Sequence, residues 1–592
     1  MKTFFKTVFA SMLGCFFSFI LIAILVVVFV IGSLSFSGGK KEVRLSEGTI
    51  LHITMDHSIT ERANNNPLKE LDFISMKSVK SLGVNEIVAA INSAATDKKI
   101  SAIFIEPSMM FDVGFASLEE IRNALVSFKE SGKPIIAYSE VFSQKSYYLA
   151  SVADKIYLNP QGAFDFRGLA SQLYFLKGTL SKLEIQAQII RHGKYKSAVE
   201  PFTVDKMSEA NREQYSALLN SIWDHYLDVI SVTRNISVDS LNLIADSVLV
   251  RNPADAQRFG FVDALVYKDS ILEMLKVAVA SERSAENLES VTLYQYAKST
   301  GLKPASSSKN KIAVIYAVGE INSGEGSDDA IGSERISRTI RIARTDENVK
   351  AIVLRINSPG GSALASEVIW REVKLAADVK PVVVSMGDLA ASGGYYIACA
   401  ATKIVAQPNT LTGSIGVFGV IMNMGDFFKN KLGVTFDVVK TNEYADMMTT
   451  TRALTPFELS VIQQSVEEIY NVFVQRVAEG RNMTIAQVDS IAQGRVWSGI
   501  DARGISLVDE IGGLNDAIRI ASELAGIEEY SILELPIQKD IFEDLFKDVV
   551  GRKLMTWITG NFIDQYPFLR SLEPINSTDP FQTRLPFDMV IE

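Results

Sequence analysis

From residue 7 to residue 39 the chain carries no charged side chain, and residues 16–31 are almost wholly apolar. About 20 apolar residues suffice to cross a bilayer core, whereas a cleaved secretory signal has an apolar region of only about 7–15. Residues 1–40 are therefore expected to be an N-terminal tail and a retained transmembrane helix. Beyond them, short β-branched runs alternate with helical periodicity. Residues 351–356 and 381–386 are continuous apolar runs, as expected of strands buried on both faces of an α/β sheet. Thr455-Pro-Phe-Glu458 combines a capping box with proline at the first helical position. Leu459, Ile462, Val466, Ile469 and Phe473 then form one apolar stripe. A matching helix is expected from near Ser208 through Tyr215, Leu218, Leu219, Ile222 and Tyr226. Alternating strands and helices predict the α/β class.

The pattern also repeats. Ser101-Ala-Ile-Phe-Ile-Glu106 resembles Lys350-Ala-Ile-Val-Leu-Arg355, and Lys133-Pro-Ile-Ile-Ala-Tyr138 resembles Lys380-Pro-Val-Val-Val-Ser385. Tyr147-Tyr-Leu-Ala150 then matches Tyr395-Tyr-Ile-Ala398, followed by Ala153-Asp-Lys-Ile-Tyr157 against Ala401-Thr-Lys-Ile-Val405. The pairs keep one order and a nearly constant offset, which predicts a tandem duplication. The expected organisation is an N-terminal domain over residues 45–297, a Ser-, Pro- and Lys-rich linker over 298–310, a C-terminal domain over 311–533 and a tail over 534–592.

Composition narrows the chemistry. Of 592 residues 22% are charged and the net charge is −10, which disfavours nucleic acid as a partner. Two cysteines, Cys15 and Cys399, cannot build a disulfide framework or a four-thiolate zinc site. Four histidines leave little scope for a metal centre, so no metal or cofactor is expected, and any catalysis falls to Ser, Lys, Asp or Glu. Cys15 follows Met-Leu-Gly, but most of the apolar stretch lies after it, which disfavours a lipoprotein cleavage site. Lys2 and Lys6 on one side and Lys40, Lys41 and Arg44 on the other leave the positive-inside rule nearly balanced.

The segment from Val382 to Ala398 reads as a strand, a small-residue turn (Ala391-Ser-Gly-Gly394) and a helix. Ser392 then sits at a helix N-terminus, where free N–H groups and the helix dipole favour an attacking hydroxyl and a developing oxyanion. Gly393 could present its N–H without steric hindrance. A tight turn with a capping serine explains the same residues. A second turn, Arg355-Ile-Asn-Ser-Pro-Gly-Gly-Ser362, ends the preceding strand and could face the first across a cleft, with Gly361 or Gly360 as a further oxyanion donor. By itself it is an ordinary Pro-Gly turn.

No histidine lies in the second copy. His52 and His57 fall in or just after the first strand, His225 lies on the polar-to-apolar boundary of a helix, and His192 opens His192-Gly-Lys-Tyr-Lys-Ser-Ala-Val-Glu-Pro-Phe202. Lys194 and Lys196 follow it, and a lysine can activate a serine if its amine is neutral, which burial can bring about. Solvated lysines are the alternative reading. The duplication discriminates. Aligning Tyr147-Tyr148 with Tyr395-Tyr396 sets Gln144 opposite Ser392, and aligning Tyr195 with Tyr444 sets Ala445 opposite Lys196. Each copy thus keeps one member of a Ser/Lys pair and lacks the other, which suggests a site assembled between halves.

Tyr195-Lys-Ser-Ala-Val-Glu-Pro-Phe202, Asn357-Ser-Pro-Gly-Gly-Ser362 and Gly387-Asp-Leu-Ala-Ala-Ser-Gly-Gly-Tyr395 resemble the motifs of the long, duplicated form of signal peptide peptidase A, over roughly residues 45–530. The resemblance implies a ClpP/crotonase-like fold in each half and an ATP-independent serine endopeptidase that degrades cleaved signal peptides. It implies a homo-tetramer held by the N-terminal helix in the bacterial cytoplasmic membrane, with the N-terminal tail cytoplasmic and the globular part on the extracytoplasmic side. It also implies Ser392 as nucleophile, Lys196 as general base, Gly393 and Gly361 as oxyanion donors, and no cofactor. Ser143-Gln-Lys-Ser146 fits a non-catalytic first copy. The alternatives are a crotonase-like acyl-CoA enzyme and a catalytically inactive membrane scaffold.

Overall fold

Both sheets expected from the repeated apolar runs are present in the computed structural model, which describes residues 45–63, 81–107, 113–279, 289–300, 308–538 and 581–584, together with 6, 11–15, 17–18, 21, 71–72 and 77–78. The chain divides into two compact units, Met1–Leu45 and Ser46–Glu592. In the first, residues 11–15 are helical. Most of the expected membrane segment lies outside the described residues, and no described helix is long and apolar enough to cross a membrane.

In the second unit, a six-stranded parallel sheet runs in the order Ala264–Leu265, Lys155–Phe164, Ile135–Phe142, Ile100–Ile105, Thr49–Ile53, Ser290–Thr292. The later half repeats the plan in an eight-stranded sheet, with strands in the order Val496–Ser498, Leu411–Gly413, Val382–Ala391, Val349–Ser358, Lys311–Val318, Ser531–Leu535, and with Lys403–Ala406 also paired to Val382–Ala391 and carrying Glu510–Ile511 beyond it. The expected strands at 351–356 and 381–386 are both longer than their apolar runs. The second continues through Asp388, whose carboxylate is held by the Ser117 hydroxyl at 2.6 Å and backbone N–H at 2.9 Å. A polar residue with a built-in partner does not end a strand.

The elements that carry the site are, in chain order, strands β1 (Gln186–His192), β2 (Val349–Ser358), β3 (Gly360–Ser362), β4 (Val382–Ala391), β5 (Val417–Asn423) and β6 (Gln582–Arg584), and helices α1 (Gln144–Ala150), α2 (Glu209–Arg234), α3 (Gly393–Ala398) and α4 (Pro456–Arg481). The Thr455 hydroxyl and the Glu458 carboxylate form the expected capping box on α4, and Ser208 caps α2. Ile462, Val466 and Phe473 turn the α4 stripe into the core of the later half, together with Tyr396 and Ile397 of α3.

A third sheet joins the halves. Its order is Gly326–Ser327, Ala330–Gly332, Glu320–Asn322, β3, β6, β5, β1. The antiparallel pair β1–β5 runs in register from Val417 opposite His192 to Asn423 opposite Gln186. A strand of the earlier half is thus fixed to a strand of the later half, and the chain leaving β1 reaches Lys196 within four residues.

The halves are also joined by a buried ionic cluster. The Arg355 guanidinium, fully enclosed on β2, donates to Glu61 at 2.7 Å, Glu120 at 2.6 Å and the Ser385 hydroxyl at 2.8 Å. Burial pushes the Glu61 carboxyl above its usual range even beside this guanidinium, while the two carboxylates raise the Arg355 guanidinium further. The Asn357 side chain donates to Glu61 at 2.8 Å and accepts from the Leu389 N–H at 3.0 Å. Removing one member would leave a buried charge uncompensated, which typically costs about 3–5 kcal/mol.

Candidate active site

At the end of β4 the backbone enters α3 through Ser392, whose φ of 55° and ψ of −114° lie where non-glycine residues rarely go. Such a conformation costs of order 1–3 kcal/mol and persists only where the surroundings hold it. Here the Ser392 N–H donates to Gly413 O at 2.8 Å, and its carbonyl accepts from the Tyr396 N–H at 2.8 Å. The side chain makes no capping hydrogen bond to its helix, so the capping reading of Ala-Ser-Gly-Gly fails. The Ser392 hydroxyl is instead directed at an amine from the other half. Lys196 Nζ lies 2.8 Å from Ser392 Oγ, and neither residue is exposed to solvent.

Three features hold Lys196 there. Tyr195 N–H donates to Gln493 O at 2.8 Å, which ties the segment after β1 to the later half. The backbone of Lys196 packs so closely on Gly494 (φ +78°) that a Cβ at that position would lie 2.7 Å from Lys196 Cβ. Finally, Nζ is 3.0 Å from Ser414 Oγ and 3.1 Å from Ser414 O, and 5.9 Å from the centre of the Phe418 ring. Burial pushes the Lys196 amine well below the usual lysine range. Removing an ammonium from water is costly, and the neutral amine avoids that cost.

The second glycine turn lies beside the first. Gly360 has φ +101°, and a Cβ there would lie 2.7 Å from the Gly393 nitrogen, so the two turns meet with no room for a side chain between them. The Gly360 N–H donates to Ser358 Oγ at 3.1 Å. Gly361, with φ +154°, carries the next N–H along β3. Gly393 is equally confined, since a Cβ there would meet Ser366 Oγ at 2.7 Å.

The histidines lie elsewhere. His192 stacks on the Tyr470 ring at 3.8 Å. His52 pairs with Glu106 at 3.0 Å, His57 with Asp56 at 2.7 Å and His225 with Glu119 at 3.1 Å. Lys194 is exposed and points towards Glu213. Gln144 is a structural residue of the first half, where its side chain donates to Gly168 O at 2.9 Å and accepts from the Arg167 and Gly168 N–H groups. Ala445 lies in an exposed turn segment. Among the described residues no cluster of His, Cys, Asp or Glu is arranged to hold a metal ion. Ser414 and Gly494 are not among the residues expected from the sequence; Gly413-Ser-Ile-Gly416 and Gln493-Gly494 each read as an ordinary turn.

A buried serine at a strained strand–helix turn, against an amine that burial pushes well below the usual lysine range and beside two glycine turns, suits acyl transfer through a covalent intermediate. The comparisons with known proteins agree. The profile of Peptidase family S49 matches twice, at residues 127–282 and 374–528, and that of Clp protease matches residues 305–412. Protease 4 of Salmonella typhi is 41% identical over 455 residues, 76% of this chain and 73% of that one. Protease 4 of Haemophilus influenzae is 36% identical over 84% of this chain and 83% of its own. The chloroplastic serine protease SPPA of Arabidopsis thaliana is 33% identical over 86% of this chain and 75% of its own. The chain belongs to peptidase family S49, with tandem S49/ClpP-like regions, and is a serine peptidase.

Proposed function

We propose that this peptidase is a membrane-anchored endopeptidase that degrades cleaved signal peptides and other extended apolar peptides through a Ser392/Lys196 dyad. The observation that carries the dyad is the 2.8 Å approach of two fully buried groups, one from each half. Neutral Lys196 takes the Ser392 proton as Oγ attacks a peptide carbonyl. The N–H groups of Gly393 and Gly361 hold the oxyanion; commitment of the Gly360 N–H to Ser358 Oγ favours Gly361 as the second donor. One such donor is worth about 3–4 kcal/mol where measured. The C–N bond breaks as Lys196 returns its proton to the leaving amine, and water then hydrolyses the acyl-enzyme by the reverse sequence. Neither ATP nor a cofactor enters these steps.

Residues 45–297 supply the base and residues 311–533 the nucleophile, across the linker 298–310. The uncharged segment 7–39 supports a single membrane span, with the globular part outside the bacterial cytoplasmic membrane as a homo-tetramer. A fluorophosphonate probe together with a synthetic signal peptide tests this reading. Labelling and cleavage that both vanish in Ser392→Ala and Lys196→Ala support it. Acyl-CoA turnover without peptide cleavage, or neither activity, overturns it.

A further inference from the structure

The third sheet contains a strand whose presence is unexpected. β6, from the C-terminal tail, lies between β3 and β5 and pairs antiparallel with both. Without it these neighbours would face each other across two strand spacings, roughly 10 Å, leaving a slot one strand wide that opens onto the glycine turns beside Ser392. A slot with an unpaired edge on each side binds peptide by strand addition, in which the backbone supplies affinity for many sequences.

The tail lines the whole of β3 and meets β5 at one position. Gln582, Thr583 and Arg584 stand opposite Ser362, Gly361 and Gly360, and Gln582 also stands opposite Phe418. Thr583 is fully buried and its hydroxyl donates to Gly361 O at 3.0 Å. The Ala363 N–H donates to Phe581 O at 3.3 Å. The Thr583 carbonyl oxygen would collide with a Cβ on Gly360 and lie 3.0 Å from one on Gly393, so it occupies the space between the two turns. Arg584 reaches over β3 towards Glu320 on the strand beyond it, 3.7 Å between nitrogen and oxygen.

We propose that residues 581–584 are an intramolecular occupant of the substrate groove, so that the chain's own C-terminal strand competes with peptide substrates for the slot between β3 and β5. The competition rests on the peptidase reading above, because the slot matters to catalysis only if Ser392 reacts there. A tethered strand acts at an effective concentration of order 1 mM, so a strand affinity of order 100 μM would raise the apparent KM about tenfold.

The test compares the full chain with one ending at residue 580. Expected are a KM for an extended reporter peptide about tenfold lower in the shortened chain, with kcat little changed, and competitive inhibition by a synthetic peptide of residues 578–592. The same peptide, fluorescently labelled, should bind the shortened chain and bind the full chain far more weakly, as read by anisotropy. Thr583→Pro in the full chain, which removes a strand N–H, should reproduce the KM shift should shortening compromise folding. Glu320→Gln should lower KM partway in the full chain and leave it unmoved in the shortened one. Equal KM values, or peptide binding that is equal in both chains or absent from the shortened one, overturn the proposal. Peptide binding to the shortened chain alone, with Ser392 unreactive to the probe, sustains the occupied slot and overturns the dyad instead.

Discussion

The two copies enter the same helix in different ways. Tyr147 of α1 donates to Phe261 O at 2.9 Å, and Tyr395 of α3 donates to Leu507 O at 2.9 Å. The following tyrosines, Tyr148 and Tyr396, donate to Glu119 and Glu367. With the helices thus in equivalent frames, the first copy places its capping residue four positions before the first tyrosine and the second copy places it three before. Ser143 is a relaxed N-cap (φ −77°, ψ 164°) whose hydroxyl accepts from the Ser146 N–H at 3.2 Å. Ser392, one residue tighter, is forced to φ 55° and its hydroxyl is turned away from the helix, towards Lys196. A one-residue difference at a helix entry therefore separates a serine whose hydroxyl caps a helix from one whose hydroxyl faces a buried lysine.

The largest effect should come from breaking the strained side of this pair. Ser392→Ala and Lys196→Ala are each expected to lower kcat/KM for a peptide by about 10⁴-fold or more, and by nearly the same amount, because the two groups act as a unit. Lys196→Met should be equally inactive while its melting temperature holds or rises, since an apolar chain of similar length replaces an amine that burial disfavours in its charged form. A fall in melting temperature of many degrees would show that the amine is structural.

The pH dependence refines the same comparison. The reactive form of Lys196 is the neutral amine, whose fraction grows with pH, so activity should rise with pH. Because burial holds this amine well below the ordinary lysine value of about 10.4, the rise should be complete well before that value. The limb should be unchanged in His192→Ala, since His192 stacks on Tyr470. Ser414→Ala removes an oxygen 3.0 Å from Nζ that can accept from an ammonium. It should move the limb to lower pH and reduce kcat about tenfold, the worth of one hydrogen bond of about 1.4 kcal/mol. A reduced kcat with an unmoved limb would make Ser414 a packing residue only.

These tests concern features that were unequally visible in the sequence. Ser392 and Lys196 stood out because each copy lacks what the other keeps, a signal that needs only the repeat and no coordinates. The helices over Pro456–Arg481 and Glu209–Arg234 were legible from their stripes and caps. The path that brings Lys196 to Ser392 was not, because antiparallel pairing of β1 with β5 depends on which edges lie free once each half has folded. Ser414 was hidden for a related reason, since its oxygens matter only after Lys196 arrives. The strand Gln582–Arg584 has no apolar alternation at all; two flanking edges make it a strand, so a reading based on hydrophobic periodicity finds only tail.

The smallest effect is expected on the relaxed side of the comparison. Ser143→Ala removes a hydroxyl that caps α1 and donates to Ser146 Oγ at 3.1 Å, both within its own helix entry, and the equivalent of Lys196 in the second copy is Ala445, in an exposed segment. Loss of such a cap costs about 1 kcal/mol, so denaturant unfolding of the described unit should shift slightly while kcat/KM stays within error. Probe-labelled peptides should map to Ser392 and leave Ser143 unmodified in the wild-type chain. Ser392→Ala should show the inverse, with activity lost and stability little changed, because the two hydrogen bonds that hold the φ 55° turn, Ser392 N–H to Gly413 O and Tyr396 N–H to Ser392 O, are both backbone and survive the substitution. Should Ser143→Ala lower activity as much as it lowers stability, the first copy would be shaping the nucleophile directly, and the separation of roles between the two helix entries would fail.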